Sequence, residues 1–104
     1  MADKLGILVS TDQYLDYIVN LARSAYKKGK YVQIFFTGKG VLLTMRPEFK
    51  ELVGKARLSV CDLSFRAFGL HGRENEVPGV GFKDFVTQAK NAEMVTTMDR
   101  YLVF

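Results

Sequence analysis

Leu5-Gly6-Ile7-Leu8-Val9 is a short, largely branched apolar run followed at once by Ser10-Thr11-Asp12, the signature of a buried strand. Ser10 stands three residues before Gln13, the spacing of a capping box, and Asp12 adds negative charge to the first turn, so a helix is predicted to start near Thr11. Along it Tyr14, Leu15, Ile18, Leu21, Ala22 and Ala25 recur at steps of three and four, with Asp16, Asn20, Arg23 and Lys27 on the other side. One face therefore packs on a sheet. Gly29 supplies a left-handed residue at the helix end, and Tyr31-Val32-Gln33-Ile34-Phe35-Phe36 reads as the next strand. A helical crossover between two strands makes them parallel and the connection right-handed.

Thr37-Gly38-Lys39-Gly40 breaks that strand. A helical turn is expected over Val41 to Met45, and Pro47 can open a helix through Glu48, Leu52 and Val53 to Gly54. Arg57-Leu58-Ser59-Val60 then forms a strand ending at Cys61, and Leu63 to Phe68 reads as a helix or turn. Gly69 to Gly81 encloses Gly72, Pro78 and Gly79 and is the least regular stretch, expected to be a mobile loop. A last helix falls between Asp84 and Thr97 with Phe85, Ala89, Ala92 and Val95 inward, and Arg100 to Phe104 is a terminal strand inside the sheet. With no repeat or linker, this order predicts one α/β domain over residues 1–104, a three-layer α/β/α sandwich on a mainly parallel sheet of four to five strands.

Composition narrows the class. The chain has 104 residues, 48% hydrophobic and 25% charged, as an ordinary globular domain does. A lone cysteine, Cys61, cannot form an internal disulfide, which favours a cytoplasmic setting. The first residues lack a secretory h-region, and no apolar run is long enough to span a bilayer, so no membrane association is expected. A formal charge of +4 raises the question of nucleic acid, but the cations are scattered and the one dense group, Lys27-Lys28-Lys30, fits a helix C-terminus. Nucleic acid is therefore not an expected partner.

One Cys and one His without clustered carboxylates supply no metal site. Gly38-Lys39-Gly40 lacks the spacing of a P-loop and reads as a tight turn. Attention thus falls on Cys61. A free cysteine is among the most buried residue types and can be inert filling. Its place at a strand end says more, because parallel strands bring the ends at Ser10, Thr37 and Cys61 to one rim, where ligands bind in open α/β sheets. A helix starting just after Cys61 would favour the thiolate through its first amides. Arg66, His71 and Arg73 lie close enough in sequence to lower the thiol pKa, whereas Asp62 acts against them. His71, in a Leu-His-Gly-Arg loop, reads equally well as a solvated polar residue.

Ile34-Phe35-Phe36 running into Gly40-Val41, a strand ending in a cysteine with a glycine eight residues on (Cys61 to Gly69), and a terminal Asp99-Arg100-Tyr101-Leu102-Val103-Phe104 together resemble the DsrE/DsrF-like family. The resemblance implies a five-stranded parallel sheet between helices, the last strand beside the first, and assembly into a homo-oligomer, a trimer or hexamer. In sulfur-relay members of that family the cysteine at the Cys61 position carries a persulfide and hands sulfur between partner proteins. On that reading the chain is a cytoplasmic sulfurtransferase with Cys61 catalytic, Arg66, His71, Ser10 and Thr37 in support, donor and acceptor proteins as partners, and no cofactor. The alternative, of another class, is a non-catalytic subunit or a module binding a small ligand or partner, with Cys61 inert.

Overall fold

A computed structural model describes residues 3–104. Its elements are β1 (Lys4–Val9), α1 (Leu15–Lys27), β2 (Tyr31–Phe36), β3 (Arg57–Cys61), α2 (Asp62–Ala67), β4 (Phe85–Val86), α3 (Ala89–Thr97) and β5 (Arg100–Val103). The crossover from β2 to β3 is made of 3₁₀ helices over Gly38–Met45 and Pro47–Leu52. The strands form one five-stranded sheet in the order β4-β3-β2-β1-β5, and every pairing is parallel. The predicted α/β class is what the chain adopts.

The order explains the layers. From β1 to β4 the chain steps outward strand by strand, and from β4 it returns across the sheet to place β5 beside β1. Right-handed crossovers made in opposite directions put their helices on opposite faces. Accordingly α1, the 3₁₀ helices and α2 contribute Leu15, Ile18, Phe49, Leu52 and Phe65 to one core with Ile7, Ile34 and Phe36 of the sheet, while α3 alone covers the other face. There α3 packs mainly on β1 and β2. Phe35, Cys61 and Met94 form that face's small cluster.

Local chemistry departs from the expected pattern at several points. Helix α1 starts at Leu15, not Thr11, and no side chain caps it, because Ser10 is otherwise engaged: both its amide (2.7 Å) and its Oγ (3.0 Å) donate to the Phe104 carbonyl. The end of α1 is as expected, with Gly29 at φ 75°, a region that favours glycine. The last helix turns a different face inward: Met94 is fully buried, Val95 is 54% exposed, and Phe85 belongs to a strand. Ala89 and Ala92 are exposed, and Met94 is the residue that the nine-residue α3 buries against the sheet. The terminal strand is an edge strand pairing β1 alone, not an interior one. Residues Gly69 to Gly81 are irregular as predicted, and Leu70, Val77 and Val80 tie that stretch to the main core.

Candidate functional site

Three adjacent strands set the site. Phe36 pairs with Val60 and Cys61 with Val86, so β2, β3 and β4 finish at one level and deliver Thr37, Cys61 and the segment Thr87-Gln88 to a common edge. Alternation along β3 sends Leu58 and Val60 into the main core and leaves Cys61 against Phe35 and Met94 on the other face. Cys61 is the last extended residue (φ −70°, ψ 115°) before the chain turns into α2 at Asp62. Ser64, in the first turn of α2, is thereby folded back beside the strand ends.

The polar groups here form a chain. The Gln88 side-chain amide donates to Thr37 Oγ1 at 2.8 Å and also lies 3.6 Å from Cys61 Sγ. Thr37 Oγ1 is 3.3 Å from Ser64 Oγ, which accepts the Gly38 amide at 2.9 Å. Proton accounting leaves two hydroxyl donors. Thr37, already an acceptor from Gln88, and Ser64, already an acceptor from Gly38, each keep one O–H, which can turn to the other hydroxyl or to the sulfur. Burial pushes the thiol pKa up, but the Ser64 hydroxyl and amide, the Thr37 hydroxyl and the Gln88 amide outweigh it, and the net direction is down.

Access is narrow but present. Cys61 is 3% exposed, yet it lies on the floor of an open cleft of about 460 Å³ that Asp62, Leu63, Ser64, Arg66 and Gln88 help to line. The sulfur thus meets hydrocarbon from Phe35 and Met94 on one side and hydrogen-bond donors on the other.

The expected supporting residues separate. Thr37 is part of the polar chain. Arg66 lines the cleft, but its guanidinium is held by Asp62 at 3.2 Å, one helical turn back. His71 is exposed and faces Glu74 at 3.4 Å, outside the cleft. Ser10 is committed to Phe104 and does not line it either. Two contributors went unread in the sequence, Ser64 and Gln88. The Cys-x-x-Ser spacing across a strand-to-helix junction was the available signal for Ser64. Gln88 had none, because its position depends on a strand of two residues. No cluster of three metal-ligating side chains occurs among the described residues.

No family model matches the chain, and no curated protein matches it. The arrangement itself favours some chemistries over others. Among the described residues no imidazole stands beside Sγ to relay protons, as acyl-transfer cysteines require, and the Asp62 carboxylate that lines the cleft is paired with Arg66. A thiol whose anion is favoured by neutral donors suits exchange between sulfur atoms, which depends on anion fraction and access.

Proposed function

We propose that this chain is a DsrE/DsrF-like sulfur-relay protein of the cytoplasm, carrying sulfane sulfur as a persulfide on Cys61. The observation that carries the reading is the convergence of Ser64, Thr37 and Gln88 on a thiol at the floor of a cleft, donors without a base. In the loading step the Cys61 thiolate attacks the outer sulfur of a donor persulfide, a Cys61 S–S bond forms, the donor S–S bond breaks and the donor thiolate leaves. In the unloading step an acceptor thiolate attacks that same outer sulfur and Cys61 departs as thiolate. Sulfur moves at constant total oxidation state, so no metal, flavin or external oxidant takes part. The donors that stabilise Cys61 as an anion also make it a good leaving group in the second step.

The resemblance in strand order and in the cysteine-to-glycine spacing supports partner proteins as donor and acceptor, and a trimer or hexamer as the assembled form. Intact-mass analysis after incubation with a sulfane-sulfur donor tests the activity. One added sulfur atom is expected, removed by reductant and never acquired by Cys61→Ser. Light scattering reads the assembly.

The burial of Cys61 against Phe35 and Met94 favours a second reading, a binding module or non-catalytic subunit with an inert thiol. It predicts no sulfur adduct on the wild-type protein.

A further inference from the structure

The amino end of the sheet, opposite the thiol, gathers charge that the sequence keeps apart. Strands β1, β2, β3 and β5 open on exposed Lys4, Tyr31, Arg57 and Arg100. Pairing of Lys4 with Tyr31, Leu5 with Arg100 and Gln33 with Arg57 lines these residues up along one edge. The end of α1 reaches the same edge, so one cleft of about 310 Å³ collects Lys4, Lys28, Lys30 and Arg100. An adjoining cleft of about 300 Å³ collects Lys55 and Arg57 with Tyr26 and Tyr31, and Lys30 borders both.

These cations are mostly unspent. Lys30 pairs with Asp3 at 3.0 Å, and Lys55 Nζ donates to the Glu51 carbonyl at 3.1 Å. Lys4, Lys28, Arg57 and Arg100 form no ion pair among the described residues. Of the carboxylates at this end, Asp3 is taken by Lys30, Asp99 accepts the Lys4 backbone amide at 2.7 Å, and Glu93, which shares a cleft with Lys4 and Tyr31, is paired with Lys90 at 3.5 Å. Tyr26 and Tyr31 stand among the cations with 52% and 40% of their surface exposed.

The geometry points to a binding surface for single-stranded nucleic acid along this edge, with phosphates on the Lys and Arg side chains and bases stacked on Tyr26 and Tyr31. Cations tracking a backbone with aromatic rings between them are the combination that a single strand needs, since every base offers a face to stack. An anionic membrane or an acidic protein would use the charge but has no bases for the tyrosines. Strands of six residues span about 20 Å, so this surface and the Cys61 cleft are separate sites on opposite ends of the sheet.

Fluorescence anisotropy with a labelled single-stranded oligouridylate, titrated at several salt concentrations, tests the assignment. Wild-type protein is expected to bind saturably, with a log–log salt slope of about −3, at ~0.7 per phosphate engaged. The variant with Lys28→Gln, Lys55→Gln and Arg57→Gln should flatten that slope to roughly −1. Tyr26→Ala combined with Tyr31→Ala should weaken binding by about thirtyfold or more at every salt concentration and leave the slope unchanged. Lys39→Gln with Lys83→Gln removes exposed cations outside both clefts and should change neither quantity, and Cys61→Ser should bind as wild type. All of these positions are partly or fully exposed apart from Cys61, so folding is not at stake in the charge and tyrosine variants. Absence of saturable binding at low salt overturns the proposal. So does equal weakening by the Lys39/Lys83 control, indifference to the tyrosines, or binding to phosphatidylserine vesicles that the oligonucleotide fails to displace.

Discussion

Phe35 and Phe36 are neighbours in β2, both without exposed surface, and they serve opposite faces of one sheet under different cover. Phe36 sits beneath α1 and the 3₁₀ helices, its ring 5.2 Å from that of Phe49, in a core where the inward positions are almost all apolar. Phe35 shares its face with Cys61, Met94 and the buried polar residues Gln33 and Ser59, beneath a single nine-residue helix. A thick layer supplies stability. The thin one leaves room at its rim for a cleft and for polar groups around a sulfur atom. Holding the fold and presenting chemistry are thus divided between the two sides of the same strands.

Matched truncations probe that division most severely. Phe36→Ala should cost towards the upper end of ~3–5 kcal/mol, because elements packed around Phe49 and Leu52 cannot close over the void. Phe35→Ala should fall towards the lower end of the same ~3–5 kcal/mol range, since α3 alone can settle onto the sheet. Urea unfolding with unchanged m-values measures both, and equal losses would break the contrast. Titrating Cys61 by its alkylation rate sharpens the other half. The midpoint should lie below that of an ordinary thiol, and removing donors should raise it, most with Ser64→Ala, less with Thr37→Val and least with Gln88→Leu. The sign carries over to stability. A thiol pKa lower in the folded chain adds stability that is complete above the unfolded value and disappears as pH falls through the folded one. The smallest effect belongs to the outward side of α3, where Val95→Ser should change stability by less than about 0.5 kcal/mol in the same urea experiment.

The thick face was the legible one. The largely apolar runs of β1 and β2, the helical spacing of Leu15, Ile18, Ala22 and Ala25, and Gly29 at its end agree with their final environment, so local pattern and fold coincide there, although Tyr14, expected inward, is exposed. On the thin face that agreement fails. Phe85-Val86 pairs as a strand too short to show any period, and its loss shifted the expected inward positions of the following helix. Cys61 and Thr37 could be placed together because ends of neighbouring parallel strands share a rim, a rule of topology. Arg66 and His71 were suggested by charge alone, and nearby carboxylates, Asp62 and Glu74, claimed them at helical spacings. Ser10 had the right spacing for a cap, but a carbonyl from the far end of the chain competed successfully for its hydroxyl.

That carbonyl has a temporal meaning. The outer edge of β1 is completed by β5, through residues some 94 positions further along the chain, as the contact between Ser10 and Phe104 records. During synthesis β1 emerges before this second neighbour, so its backbone donors and acceptors on that edge stay unsatisfied until the later segment has also been made. Until then a nascent chain of this fold exposes a sticky ribbon, and β5 is what closes it.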